Sequence, residues 1–319
     1  MKYIATSPSF KTILVMLVIC AGLSSCENCD ETIEMDNAAV FEPPTTADFE
    51  ALQDNTFGQL LQTVTVNIGA NGLFFTSPTD VNVFIPGNCL SINGVTVTGS
   101  VDLEFLEIYD RGDMLSTNST TVGMFPAGGS ELLVSGGMFF INITQNGQQV
   151  DLVCEGNITV PTDLTGGTDA AMRPFDGSVN AQGDLEWLET QAELFITPSP
   201  TGDIYNTFFS EFGWFNCDRF YNAPDPKTEI MVAIPQEFSQ ENSNVYLALQ
   251  GEPNSLAYLY GEFPVGLAAH IIFVSEEEGN YRYAVRTLDL EANQQVIFTL
   301  QETTVATLEE ITNAINSLQ

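Results

Sequence analysis

Four kinds of side chain in this sequence could carry chemistry: a lone histidine, a cysteine within a charged motif, a surplus of carboxylates and a cluster of aromatic rings. His270 lies in the apolar run Leu267-Ala-Ala-His-Ile-Ile-Phe-Val274, where a hydrogen-bonded structural role is favoured over that of a general base. Pairing it with Cys217 as a thiol nucleophile would require two distant residues to meet in the fold. A single histidine excludes His₂ and His₃ zinc centres, and no HExxH, Walker A, GxGxxG, GxSxG or EF-hand pattern occurs. The sequence holds 42 acidic residues, too many for spacing to single out the two that a glycosidase needs, so a glycan-active hydrolase stays open as the alternative to a non-catalytic protein. Asp163, Asp169 and Asp176 fall in the Gly-rich stretch from Pro161 to Gly177. Oxygen-rich flexible loops suit calcium, which makes these three the candidate ligands, although no DxDxDG frame surrounds them.

Aromatics offer another kind of site. Trp187, Tyr205, Phe208, Phe209, Phe212, Trp214, Phe215, Phe220 and Tyr221 crowd one segment. On a surface they would form a glycan-stacking platform anchored by Trp187 and Trp214, and inside they would cement the fold. An exposed patch of that size is rare on a soluble monomer, which favours the interior. Arg111-Gly112-Asp113 spells an adhesion tripeptide, but a turn at a strand end explains it.

The elements that must position these groups are mostly strands. Val64, Val66 and Ile68 alternate with polar residues, as do Val101, Leu103 and Phe105, the period of a half-buried strand. Past Phe105 the apolar phase moves to Leu106 and Ile108, which predicts a bulge there. Asn71-Gly72, Asn93-Gly94, Asn146-Gly147 and Gly279-Asn280 read as tight turns. For Asn146-Gly147 the flanking pattern predicts a long hairpin from about Phe139 to Cys154, with Ile141 opposite Leu152, both buried, and Asp151 exposed. Helices are few. Thr307 and Glu310 form a capping box ahead of Leu308, Ile311, Ile315 and Leu318, which predicts a terminal amphipathic helix lying on the second domain. A weaker helical pattern runs from Thr46 to about Leu61.

Charge and the N-terminal residues bound the setting. There are 8 Lys+Arg against 42 Asp+Glu. Removing Lys2 and Lys11 with a leader leaves 6 − 42 = −36. Six scattered cations make no phosphate-binding footprint, so nucleic acid is excluded as a partner. A basic start, an apolar run from Ile13 to Gly22 and Leu23-Ser24-Ser25-Cys26 have the form of a lipoprotein leader over residues 1–25, with Cys26 the acylated residue. That run is too short for a transmembrane helix. Glu27, Asp30, Glu31, Glu34 and Asp36 follow as an acidic tether, similar to the surface-export signal of Bacteroidota lipoproteins.

Further residues carry a resemblance. Ile85-Pro86, then Gly99, Val101, Leu103 and Glu107, then Asp113-Met114, Ser135-Gly136-Gly137-Met138-Phe139 and Asn146-Gly147 resemble the ZU5-like β-sandwich of Bacteroidota surface lipoproteins. The run Gly213-Trp214-Phe215-Asn216-Cys217-Asp218-Arg219-Phe220 resembles a Gly-Trp-x-Asn-Cys-Asp-Arg-Phe signature that accompanies it. The resemblance spans about residues 65 to 225. Some ZU5 proteins cleave themselves at a His-Phe-Ser or His-Tyr-Ser site, whereas His270 is followed by Ile271 and Ile272, so self-cleavage is not implied. Cys89 and Cys154 stand outside the family pattern and within one domain, which makes them the expected disulfide, while Cys217 belongs to its signature and Cys29 to the tether.

The expected organisation is mostly β: a leader at 1–25, an acidic tether at 26–62, a ZU5-like sandwich at 63–165, an aromatic-rich connecting segment at 166–227 and an Ig-like β domain with a short terminal helix at 228–319. The expected function is a lipid-anchored binding or assembly protein on the outer membrane, facing the exterior. Its membrane partner is lipid held through Cys26, and its other partner a surface protein or polysaccharide. Cys26→Ser is expected to leave the chain unlipidated and released from membranes on cell fractionation; retention of the cleaved variant in the membrane fraction contradicts this.

Overall fold

The computed structural model describes residues 41–181, 183–222, 224–259 and 261–319. The leader, Cys26, Cys29 and the acidic run behind the anchor lie outside the described residues. The described chain is mostly β, with three α-helices, and no helix among the described residues is long and apolar enough to cross a membrane.

The first helix, α1 (Thr46–Leu60), starts where the sequence caps it. Asp48 N–H donates to the Thr45 hydroxyl, and Asp48 in turn accepts from Thr45 N–H at 2.9 Å, so two otherwise orphaned amides are satisfied reciprocally. The helix buries Phe49, Leu52 and Thr56. The tether expected over 26–62 therefore gives way to folded structure from Thr45 onward.

An eight-stranded sheet forms the centre of the molecule. Its order is Gln62–Ile68, Gly99–Ile108, Ser130–Gln145, Gly213–Phe220, Arg173–Val179, Leu185–Glu189 and Val122–Met124, with Gln148–Gln149 paired beside Ser130–Gln145. The last strand also pairs with the start of Ser130–Gln145, so that end of the sheet closes on itself. One face packs on a five-stranded outer sheet of order Phe195–Ser199, Gly202–Phe209, Gly156–Pro161, Asn82–Pro86 and Gly72–Thr76. Val101, Leu103, Phe105, Phe139, Ile141, Ile143 and Phe215 meet Leu73, Val83, Ile85, Ile158, Val160, Tyr205 and Phe209 across that sandwich.

The opposite face of the central sheet is covered as well. Leu106, Ile108, Met138, Phe175 and Trp187 pack against α1, α2 (Arg111–Ser116), α3 (Leu308–Asn316) and one face of a C-terminal sheet. That sheet has the order Ala257–Tyr258, Ser243–Leu249, Ala268–Glu277, Asn280–Asp289 and Thr304–Ala306. Its other face closes a third cluster through Leu247, Leu249, Ile271 and Phe273. Helix α3 carries the expected Thr307/Glu310 capping box. It lies in the layer between the two halves, pressed so closely on α2 that a Cβ at Gly112 would come within 2.7 Å of the Thr312 carbonyl oxygen.

Several expectations change for physical reasons. No bulge occurs at Phe105 and Leu106, because strand Gly99–Ile108 pairs in unbroken register through Phe105↔Ile141 and Leu106↔Phe140. The apolar phase moves because the second face becomes buried beyond that point, and the sheet's irregularity falls between Asn216 and Asp218 instead. The segment 166–227 is not a connector. It supplies Arg173–Val179, Leu185–Glu189 and Gly213–Phe220 to the central sheet and Phe195–Ser199 and Gly202–Phe209 to the outer one.

The turns follow the same logic of competition. Asn93-Gly94 and Asn146-Gly147 take positive φ at both positions. At the other two sites the central pairs are Ala70-Asn71, between Gly69 and Gly72, and Glu278-Gly279, between Glu277 and Asn280. The hairpin at Asn146-Gly147 is short: Thr144 pairs with Gln149 and Gln145 with Gln148, after which Asp151 and Leu152 leave to pair with Ser91 and Leu90. Strand Gly213–Phe220 takes the place expected for them, with Phe215 opposite Phe139. Asp151 is exposed and Ile141 buried, while Leu152 is half-buried.

The departing strand is tied down by a disulfide between Cys89 and Cys154, whose Cα atoms are 5.0 Å apart. It bridges residues 65 apart in sequence, which corresponds to about 4 kcal/mol in the chain-entropy description. Reduction, or Cys154→Ser, should lower the unfolding free energy by about that amount in denaturant titration; an unchanged midpoint would show that the crosslink constrains little of the unfolded chain.

Candidate functional site

The groups that the sequence marked for chemistry are mostly taken up by the fold. Trp187 is completely buried, and its indole N–H donates to the Thr120 carbonyl at 2.6 Å. A Cβ at Gly177 would come within 2.6 Å of that ring, so only glycine leaves room for it. Trp214 is half-buried against Phe57, Phe140 and Trp187. Neither tryptophan forms a glycan platform. Arg111 and Gly112 are buried in α2, so the tripeptide they begin is not displayed.

His270 and Cys217 serve separate parts of the structure. The imidazole uses Nδ1 toward the Thr287 hydroxyl at 2.7 Å and Nε2 toward the Gln319 backbone oxygen at 2.8 Å. Burial lowers its pKa. Cys217 is fully buried in strand Gly213–Phe220, where burial and then Asp218 push its thiol far above the ordinary range. A buried, protonated thiol is a poor nucleophile.

The three candidate calcium ligands do not converge. Asp169 is bound to Arg219, its Oδ2 lying 2.8 Å from Nε. Asp176 sits in the sheet opposite Phe215 and Leu188, where partial burial and then Glu211 raise its pKa. Asp163 lies in the turn after Pro161, below Gly202. No group of three or more metal-binding side chains occurs among the described residues.

Two features remain as candidate sites. The first is a polar cleft of about 310 Å³ lined by Thr165, Gly166, Gly167, Asp169, Arg219, Glu252 and Asn254. Of the run Gly213–Phe220, Arg219 lines it, and other members of the run are bonded to Ser135 and through it to Asn254. Asn216 Nδ2 donates to Asp218 Oδ2 at 2.8 Å, the Ser135 hydroxyl donates to Asn216 Oδ1 at 2.9 Å, and Ser135 N–H donates to the Asn254 carbonyl at 3.0 Å. Arg219 then reaches both Asp169 and Glu252, each at 2.8 Å. The two carboxylates of the cleft are therefore both engaged by one guanidinium.

Beneath them, burial pushes the Asp218 carboxyl well above its ordinary range. The Ser135 hydroxyl and Gly136 amide pull the other way, but neither completes a hydrogen bond to Oδ1, which is left without a partner. Desolvation thus disfavours the charged form of this acid more than its neighbours favour it.

The second feature is the outer face of the outer sheet. Alternation turns Leu73, Phe75, Val83, Ile85, Ile158, Val160, Tyr205 and Phe209 inward, so the residues between them face out. Register then aligns them in rows. Phe74 lies opposite Phe84, Phe84 opposite Asn157, and Asn157 opposite Phe208. The next row runs Thr76, Asn82, Thr159, Asn206 and Phe195. Phe74, Phe195 and Phe208 are 61%, 47% and 41% exposed.

Hydrogen bonds fix the polar members of this face. Thr76 Oγ1 donates to Asn82 Oδ1 at 2.7 Å, Asn82 Nδ2 donates to Thr159 Oγ1 at 3.3 Å, and Asn157 Nδ2 donates to Asn206 Oδ1 at 2.7 Å. With Pro86, Pro161, Ile204 and Thr197 completing it, no outward position of these five strands is charged. The sequence offered one signal for this face, the adjacent pairs Phe74-Phe75 and Phe208-Phe209, since neighbouring residues on a strand cannot both point inward.

No family model, no curated protein and no solved structure matches the chain.

The buried acids make a pH prediction. Burial and then Asp110 push the Asp113 carboxyl up to about 6 from 3.8. The folded state thus holds the proton more tightly than the unfolded one, so the contribution is complete below 3.8 and is lost as pH rises through about 6. Asp218 acts in the same direction. Relative to the parent, Asp113→Asn and Asp218→Asn should gain Tm progressively between pH 4 and pH 7, and a difference that does not change with pH would show these carboxyls to be ordinarily ionised in the fold.

Proposed function

We propose that this chain is a non-catalytic binding protein, anchored in the outer membrane by acylated Cys26 and displaying its outer sheet to the cell exterior. The observation that carries this reading is the uncharged, ring-bearing face of the five-stranded sheet, with Phe74, Phe195 and Phe208 open to solvent in a chain of formal net charge −34. Charge-free sheet faces bearing several large rings mark contact surfaces, because exposed apolar area is costly to keep in water. The rest of the chain serves as a scaffold for this face and, through the anchor, holds it outside the cell.

The alternative, a glycan hydrolase, has a specific place to act, because Asp169 and Glu252 meet in the cleft at Arg219. Two experiments separate the readings. Intact cells treated with protease should lose an epitope inserted at Pro78-Thr79, in the turn beside the outer sheet, and purified full-length protein should release no new reducing ends from polysaccharides. Protection of the epitope in intact cells contradicts surface display, and reducing ends that vanish with Glu252→Gln would establish the hydrolase.

A further inference from the structure

We infer that the outer face of the five-stranded sheet binds neutral polysaccharide chains, with Phe74, Phe84 and Phe208 as stacking positions and the Asn/Thr row beside them as the hydrogen-bonding edge. This rests on the binding role proposed above and names its ligand class.

The geometry suits an extended sugar chain. Neighbouring strands lie about 4.8 Å apart, so Phe74 and Phe84 are one spacing apart and Phe74 and Phe208 three, a row of about 14 Å. A row of rings of that length, running across the strands, matches several consecutive sugar residues better than a compact molecule. The apolar C–H face of a pyranose packs on aromatic rings, and its equatorial hydroxyls need amides and hydroxyls at the margin. Those are the groups in the adjoining row, and their mutual hydrogen bonds hold them in place before a ligand arrives. Asn157 Oδ1 and Asn206 Nδ2 make no hydrogen bond among the described residues, which leaves an acceptor and a donor side by side for hydroxyls.

Charge selects among occupants. A face without cations has nothing to hold a phosphate, a sulfate or a uronic acid, and a chain of net charge −34 repels polyanions at long range. The same repulsion opposes a second copy of this chain, which would bring an equal negative charge to the same face. A neutral glycan meets neither penalty.

The test uses the full-length protein in a non-ionic detergent, run on native gels that each contain one soluble polysaccharide: mixed-linkage β-glucan, galactomannan, xyloglucan, dextran or, as the polyanion, alginate. Retardation is expected in at least one neutral gel and not in alginate. Phe74→Ala and Phe208→Ala should each weaken it tenfold or more, while Phe208→Trp retains it. Both Ala variants remove exposed rings, and an unchanged Tm confirms that they fold. Absence of retardation in all four neutral gels, retardation that neither Ala variant alters, or retardation in alginate alone overturns the glycan assignment. So does a concentration-dependent dimer that Phe74→Ala abolishes in sedimentation velocity, which would identify a second copy as the occupant. These outcomes leave the protease result on intact cells untouched, so loss of the ligand class and loss of surface display are read separately.

Discussion

Burial of the central sheet on both faces is the constraint on which the rest of this structure depends. A sheet covered on one side can leave polar side chains in water, but one covered on both must satisfy every group that its strands carry inward. The segment that follows α2 meets much of this demand. Asn118 Oδ1 accepts from the Tyr246 hydroxyl at 2.5 Å, the Tyr258 hydroxyl at 2.8 Å and Asn244 Nδ2 at 3.0 Å. The Ser116 carbonyl accepts from the Tyr281 hydroxyl at 3.0 Å, and the Thr120 carbonyl from Trp187. Thr121 N–H donates to the Leu256 carbonyl at 2.6 Å. These bonds join strands far apart in sequence, so the C-terminal sheet and the central sheet share one interior. Functional freedom is then pushed to surfaces that this interior does not need.

That constraint also explains which parts of the fold were legible in the sequence. Local signals survived: the Thr307/Glu310 capping box, the positive-φ turns at Asn93-Gly94 and Asn146-Gly147 and the alternation of Val101, Leu103 and Phe105 all appear as read. What could not be read was competition between distant strands. Residues after Val150 had a plausible partner in Phe139 to Ile143, but Gly213–Phe220 offered a better one, with Phe215 stacked on both Phe139 and Phe209. The shift of phase at Leu106 looked like a bulge because nothing local revealed that helices and a second sheet would cover the other face. The aromatic-rich segment read as a connector for the same reason, since its strands pair with residues far away in sequence, as Phe220 does with Leu133 and Trp214 with Phe140.

The candidate sites show the same division. Residue types that usually signal chemistry, His270, Cys217, Trp187 and Asp218, are bonded or sealed within the interior, where a buried ionisable group lowers stability unless it stays neutral. The rings that reach solvent are phenylalanines, which carry no reactive group and draw no attention in a scan for catalytic motifs. Phe208 stood in the aromatic run that the sequence offered, but its alignment in one row with Phe74 and Phe84 became visible only through strand register. In an acidic chain, an uncharged surface is the exception that asks for an explanation, and binding without ionic attraction supplies one.

Amide chemical-shift mapping of the full-length protein with a mixed-linkage β-glucan oligosaccharide separates the working face from its scaffold most directly. Binding on the outer sheet predicts shifts concentrated in Gly72–Thr76, Asn82–Pro86, Gly156–Pro161 and Gly202–Phe209, with the C-terminal sheet unmoved. Shifts gathered instead around Thr165, Asp169, Arg219 and Glu252 would place the ligand in the cleft and contradict a binding role for the open sheet.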